Sequence, residues 1–292
     1  MKTSIGEALH LAQSCLEAAG ITEALAAAEV LLADLLSVPR AHLYLESRRP
    51  LSALQHESYA ARIARRQRGE PVQYITGRQE FWSLEFEINP CVLIPRLESE
   101  LVVEHGVRLV RQWGLASPQD SLCILDVGTG SGNLAISLAR ELPQSRLWGI
   151  DRALGALQVA RRNAQRLGVA DRLRWVCGDL LTPLQGGPRR FALCVSNLPY
   201  VTTAEWAHLP REIREYEPPE ALLGGDDGLD LIRRVITASP EVLVAGGVLL
   251  LEVGWKQAPA VTELMRQGGC FRRIGVERDF ADIERVVWAQ VA

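Results

Sequence analysis

Apolar residues recur along this chain with two different periods, and the switch between them marks out its parts. Ile5, Leu9, Ala12, Leu16 and Ala19 follow helical spacing behind Ser4 and Glu7, a capping-box pair, until Gly20 stops them. Leu25, Ala28, Leu31, Leu32, Leu35 and Leu36 form a second stripe that ends before Pro39, and a third helix is predicted from near Ser52 to Gly69, before Pro71. Together they predict a small helical bundle. From Glu80 to Ile94 the period falls to two: Leu84, Phe86 and Ile88 alternate with polar residues, Asn89-Pro90 turns the chain, and Val92-Leu93-Ile94 resumes. This predicts a hairpin joining two domains.

The segment Ile94 to Glu100 leads into a helix through about Trp113, with acidic residues in its first turn as the helix dipole favours. Strand and helix patterns then alternate, with strands near 122–127, 146–150, 172–177, 191–196 and 247–253. Two more apolar runs, near 270–277 and 284–291, predict an antiparallel pair at one sheet edge. The pattern is that of an α/β domain, a largely parallel sheet covered on both faces. The predicted divisions are 1–78 for the helical domain, 79–94 for the hairpin linker and 95–292 for the sheet domain.

Composition narrows the function classes. A net charge of -3 and 48% hydrophobic residues in 292 describe an ordinary globular protein, not one whose business is neutralising nucleic-acid phosphates, so no direct nucleic-acid contact is expected. The start has no apolar leader with a cleavage site, and no run approaches the roughly 20 apolar residues of a membrane span, so a cytoplasmic protein is expected. Cys15, Cys91, Cys123, Cys177, Cys194 and Cys270 form no C-x-x-C pair and read as reduced core residues. The five histidines, His10, His42, His56, His105 and His208, show no metal-ligand spacing, and nothing points to a Ser-His-Asp hydrolase. Arg48, Arg49, Arg62, Arg65, Arg66, Arg68 and Arg78 stand against only Glu57 and Glu70, either a docking face for an acidic partner or a solvated helix face.

The candidate chemistry lies at strand ends. The apolar run Leu122 to Val127 delivers into Gly128-Thr129-Gly130-Ser131-Gly132, and helical spacing follows from Asn133 to Leu142. Glycines let the backbone approach a ligand, and the next helix turns its unpaired N–H groups toward it. A dinucleotide fingerprint would need a third glycine where Asn133 stands, and no Walker lysine follows. Asp126, awkward beside a pyrophosphate, suits the ammonium or sulfonium of S-adenosylmethionine, so a methyl donor is predicted. Asp151 ends the second strand, placed to accept ribose hydroxyls or to cap the helix over 153–167. Asp179 either accepts from an adenine amino group, with Leu180 packing on the ring, or is an ordinary turn aspartate.

Val195-Ser196-Asn197-Leu198-Pro199-Tyr200 is read as the reaction centre. An amide nitrogen is a poor nucleophile because its lone pair is delocalised. Acceptance of both its N–H bonds, by the Asn197 carboxamide oxygen and the Leu198 carbonyl, would turn the lone pair toward a methyl group. Tyr200 would stack on the planar group and Pro199 would stiffen the loop; the alternative is a strand-ending turn with Tyr200 in the core.

At these residues the chain resembles the HemK/PrmC family, the peptide chain release factor glutamine N5-methyltransferases. Gly69-Glu70-Pro71 with Gly77, Glu80-Phe81-Trp82-Ser83-Leu84, Ile94-Pro95-Arg96, Asp126 to Gly132, Ser196 to Tyr200, Glu217-Pro218, Ala221-Leu222 and Asp227-Gly228-Leu229 follow the family's motifs in order. The resemblance implies a class I, Rossmann-like, seven-stranded S-adenosylmethionine-dependent methyltransferase domain behind a helical substrate-recognition domain. It also implies methyl transfer to the glutamine of the Gly-Gly-Gln motif in release factors, by a protein expected to be a monomer. Gly128 to Gly132, Asp151, Asp179, Leu180 and Asn197 fall at cofactor positions, and Asn197 to Tyr200 at the glutamine site. Three positions depart from the family: Leu198 stands where proline is usual, and Leu97 and Ser99 where proline and threonine are usual. A ribosomal-protein glutamine or an adenine amine as acceptor, and a weakened donor-binding homologue, are the alternatives; a dehydrogenase is remote.

Overall fold

The computed structural model describes residues 3–115 and 122–292. Contacts divide the chain into two compact units, Met1–Arg78 with Pro210–Tyr216, and Gln79–Leu209 with Glu217–Ala292. The first unit begins with α1 (Ile5–Ala18), α2 (Ala24–Leu36), α3 (Arg40–Leu45), α4 (Ala53–Gln67) and α5 (Val72–Thr76). Ser4 and Glu7 close the predicted capping box on α1, and Ser52 and Gln55 close another on α4. Leu16, Leu31, Leu32 and Leu43 are wholly buried in its core, with Ile63 and Tyr59 beside them. The short helices α3 and α5 were not predicted, since fewer than two turns carry no apolar stripe. The arginine-rich run is largely engaged within this unit: Arg62 pairs with Asp34, Arg65 with Glu70, and Arg66 with Glu212.

The second unit opens with a hairpin of β1 (Arg78–Phe81) and β2 (Leu84–Glu87). The predicted turn at Asn89-Pro90 is not the one that makes it. Trp82 and Ser83 turn the chain instead, both with positive φ (53° and 55°), a conformation their side chains do not advertise. Val92 to Ile94 lie in a connection and not in a strand; the Ile94 N–H donates to the Glu217 carboxylate at 3.1 Å.

Then come α6 (Glu100–Trp113), β3 (Leu122–Val127), α7 (Asn133–Glu141), β4 (Ser145–Asp151), α8 (Leu154–Arg166), β5 (Leu173–Cys177) and β6 (Phe191–Ser196). They are followed by α9 (Thr203–Trp206), α10 (Arg211–Tyr216, part of the first unit), α11 (Asp230–Val242), β7 (Leu243–Glu252), α12 (Ala258–Gln267), β8 (Phe271–Arg278) and β9 (Glu284–Val291). Seven strands form one sheet in the order β5-β4-β3-β6-β7-β9-β8, parallel except for β9, which runs antiparallel to both its neighbours. Every predicted sheet strand is present.

All six residues of β6 are buried, as expected for a strand covered on both faces. Leu193 meets α6 and α7 at Gly106 and Leu138, whereas Cys194 belongs to the cluster of Ile232, Val235 and Val261 from α11 and α12. Neighbouring residues of a strand point to opposite faces, so the helices cover both sides of the sheet. The chain leaves β3 for β4 and β5 on one side and returns to β6 on the other. This puts the topological switch, where open α/β sheets gather ligands, between β3 and β6.

The cysteines correct the sequence reading in part. All six are free thiols, but only Cys194 is buried; Cys15, Cys91, Cys177 and Cys270 are exposed, because each lies at a strand end, in a connection or on an outward helix face. Among the described residues no helix is long and apolar enough to cross a membrane.

Buried Asn163 on α8 joins the hairpin to the glycine loop. Its amide nitrogen donates to the Glu87 and Ser131 carbonyls at 2.9 and 3.0 Å, and its oxygen accepts from the Glu87 N–H at 2.7 Å. Asn163→Ala strands these groups, and is expected to lower unfolding stability by about 2–4 kcal/mol in chemical denaturation.

Candidate active site

The carboxyl ends of β3, β4, β5 and β6 open on one cleft, lined by Gly128 to Ser131, Asp151, Asp179, Leu180 and Asn197 to Pro199. The opposite wall comes from Cys91 to Leu93, Pro95, Arg96 and Ser99, and from Pro218, Glu220 and Ala221. The glycine loop is clamped over β4, with the Gly128 and Thr129 N–H groups donating to the Ile150 carbonyl at 2.8 and 2.9 Å. Gly128 has φ +72°, and a Cβ there would press on Leu198 Cδ2 at 3.4 Å. The loop and the Asn197 segment therefore touch directly.

Asp126, Gly132 and Tyr200 do not line the cleft. Asp126 turns inward: its Oδ2 accepts from the Thr129 hydroxyl at 2.6 Å and the Ala135 N–H at 3.2 Å, and its Oδ1 accepts no hydrogen bond among the described residues. It ties the glycine loop to the first turn of α7. Burial pushes its carboxyl up to about 7, helped by the charge of Asp151 and opposed by those two hydrogen bonds.

Asp151, which ends β4, does not cap α8, whose N-cap is Ala153 with no side-chain cap bond. It lines the cleft, while its Oδ1 accepts from the Ala153 N–H and its Oδ2 from the Gly130 N–H, both at 2.9 Å. Burial raises its pKa against these backbone bonds, and each oxygen keeps a lone pair for a hydroxyl donor. Asp179 is exposed and ion-paired with Arg234 of α11. Leu180 beside it takes a positive φ of 50°, turning its side chain into the cleft wall.

The Asn197 side-chain nitrogen donates to the Ser99 hydroxyl at 2.9 Å. Among the described residues nothing donates to its carboxamide oxygen or to the Leu198 carbonyl. The Leu198 side chain is buried among core residues under the glycine loop. Tyr200 is largely buried, its ring beside Gly254 and its hydroxyl near enough to the buried Glu252 carboxyl to hold that carboxyl's pKa down, so it braces the loop from behind. Gln257 donates to the Tyr200 carbonyl at 3.0 Å and accepts from Gly254 N–H at 2.8 Å. A Cβ on Gly228 (φ +75°) would lie 2.2 Å from the Tyr200 carbonyl oxygen, so glycine is required there.

The sequence reading gave no role to Glu217, Arg234 or Glu252. Glu217 is buried and ion-paired with Arg96, which fixes the wall at Pro95 and Arg96. Glu252 ends an apolar strand with an acid, the same signal as Asp126. No group of three or more potential metal ligands occurs among the described residues.

Because Asp126 binds its proton more tightly folded than unfolded, its contribution to stability is full below about pH 3.8 and is lost as pH rises through about 7. Asp126→Asn is therefore expected to gain stability relative to the parent between pH 5 and pH 8 in urea titrations; an unchanged difference would contradict this.

Residues 7–77 match the PrmC N-terminal domain family and residues 124–219 the methyltransferase domain family. A release factor glutamine methyltransferase of Geobacter sulfurreducens is 38% identical over 291 residues, covering 99% of this chain and 97% of the relative. One of Chlorobaculum tepidum is 42% identical over 269 residues, covering 91% and 90%. Among solved structures, the hMettl16 catalytic domain in complex with the MAT2A 3′UTR hairpin 6 aligns with a TM-score of 0.56 at 14% identity, over 79% of this chain and 81% of that one, a likeness of fold alone. The sheet order, the two matched domains and identity to curated relatives over nearly the full length agree: the chain is a methyltransferase and belongs to the release factor glutamine methyltransferase family.

Proposed function

We propose that this enzyme methylates the side-chain amide nitrogen of the glutamine in the Gly-Gly-Gln motif of a peptide chain release factor, with S-adenosylmethionine as donor. The observation that carries this reading is a pair of acceptors with no donor among the described residues, the Asn197 carboxamide oxygen and the Leu198 carbonyl, on two residues that line the cleft beside a glycine loop suited to the donor. When bound, the donor supplies an electrophilic methyl on a sulfonium.

Gly128, Thr129, Gly130 and Ser131 would let the donor approach the backbone, and the Asp151 carboxylate would accept from its ribose. Leu180 would pack on the adenine, with Asp179 accepting from the adenine amino group alongside Arg234. Asn197 and Leu198 would accept the two N–H bonds of the glutamine amide, aiming the lone pair at the methyl group, so the enzyme's part is chiefly orientation. Pro199 and Tyr200 would hold this loop in place, and Asp126 would shape the glycine loop without facing the donor. The helical unit is assigned the recognition of the release factor, by a cytoplasmic monomer with no nucleic-acid contact of its own.

Labelled donor incubated with release factor is expected to mark only the Gly-Gly-Gln glutamine by mass spectrometry; label on a ribosomal protein instead would move the substrate assignment. Asn197→Ala is expected to lower kcat by at least ~100-fold with donor affinity kept within about threefold. Leu198→Pro keeps the acceptor carbonyl and restricts Asn197, but removes buried side-chain carbons from under Gly128. A higher kcat with stability lower by about 1–2 kcal/mol is expected from paired kinetics and denaturation.

A further inference from the structure

Glu252 is a buried carboxylate that the reading above leaves without a task. It is 1% exposed at the end of β7, and its Oε2 has no hydrogen-bond partner among the described residues. Desolvating a charge is costly, so an apolar residue would serve packing better. Its place in the sheet is specific. The parallel register of β6 and β7 ends at Ser196↔Leu251, which puts Asn197 and Glu252 one step further along neighbouring strands. Beside them lies Ser99, also 1% exposed, which accepts from the Asn197 side-chain nitrogen at 2.9 Å and whose hydroxyl is near enough to the Glu252 carboxyl to hold its pKa down.

We infer that Glu252 is a positioning residue for methyl transfer, acting through the Ser99 hydroxyl to hold the Asn197 carboxamide with its oxygen toward the cleft. The inference rests on the proposed role of Asn197. A serine hydroxyl has one hydrogen. An ionised carboxylate only accepts, so the Ser99 hydrogen goes to Glu252, and the Ser99 oxygen is left to accept from Asn197. That polarity selects one of the two nearly isosteric orientations of the carboxamide. In the other, an NH2 group would meet the N–H bonds of the substrate amide, and the acceptor pair would be lost. The Tyr200 hydroxyl also holds the pKa of this carboxyl down, so Glu252 faces both ends of the Asn197–Tyr200 loop.

The arrangement is sensitive to protonation. The charged and titratable groups around Glu252 are Arg285 on β9, Glu98 in the turn before α6, and Tyr200. Arg285 is shared with Asp279 at 3.0 Å, which limits the charge it offers. Burial pushes the Glu252 carboxyl up to about 7, against the Ser99 and Tyr200 hydroxyls and Arg285. The protonated acid is able to donate to Ser99, which frees the Ser99 hydrogen to turn toward Asn197 and removes the fixed polarity. The substrate amide does not ionise in this range, so a titration seen in kcat belongs to the enzyme.

The test compares the full-length enzyme with E252Q, S99A, S99T and N197A, using S-adenosylmethionine and an intact release factor, with donor affinity measured by calorimetry. The parent kcat is expected to rise about tenfold from pH 6 to pH 8, with an apparent pKa near 7. E252Q should lose this dependence and at least ~10-fold in kcat at pH 8, with donor affinity and KM within about threefold. S99A should show a similar kcat loss, and S99T, which restores the hydroxyl, should recover to within about threefold of the parent. An E252Q enzyme with the parent's kcat and pH profile, or an S99A enzyme with unchanged kcat, would overturn the inference. If E252Q does not fold, the Ser99 pair decides. Loss of activity in N197A alone leaves the proposed reaction standing and only this inference fallen, whereas an active N197A removes the reading on which it rests.

Discussion

The hydrogen-bonded pairing of β6 between β3 and β7, parallel on both sides, is the constraint from which the site follows. Its register sets Val127 beside Ser196 and Leu251 beside Ser196, so the three strands end level. The glycine loop, Asn197 and Glu252 then emerge side by side, from positions far apart in sequence. A shift of one residue in β6 would turn Asn197 to the opposite face, where Cys194 packs among α11 and α12. Burial of all six β6 residues opposes such a shift, because it would exchange the two packed faces of the strand.

Two acids at strand ends are held in this dry region, and both have carboxyls raised to about 7 by burial. Asp126 organises the glycine loop, through Thr129 and Ala135. Glu252 lies across β6 from it, next to Ser99 and Tyr200. The fold gives up some stability at neutral pH to keep them, which places conformational definition of the loops ahead of stability.

The sheet was legible because fully buried parallel strands read as uninterrupted apolar runs, such as Leu122 to Val127 and Phe191 to Val195. The glycine loop was legible because glycine at positive φ leaves a chemical mark, as at Gly128 and Gly130. The hairpin turn was not, because Trp82 and Ser83 adopt that conformation without any residue-type signal. Pairings made by topology were equally hidden: Ser99 meets Asn197 across 98 positions, and Glu217 meets Arg96 across 121. The orientation of Tyr200 could not be read from spacing either, since an aromatic after a strand end suits a cleft wall and a core equally well. Only the positions of Gly254 and Glu252 decide it.

Leu198 takes a different meaning once its surroundings are known. By the family resemblance it is a lost proline; in the fold its side chain packs against Gly128, and the residue also lines the cleft. The central claim is that this carbonyl and the Asn197 carboxamide oxygen together receive an amide nitrogen. It is tested most directly by a crystal structure with S-adenosylhomocysteine and a peptide containing Gly-Gly-Gln. The glutamine amide nitrogen is expected within about 3 Å of both oxygens, with the Asn197 nitrogen still on Ser99. A glutamine amide held by other groups, or an Asn197 turned with its nitrogen into the cleft, would contradict it.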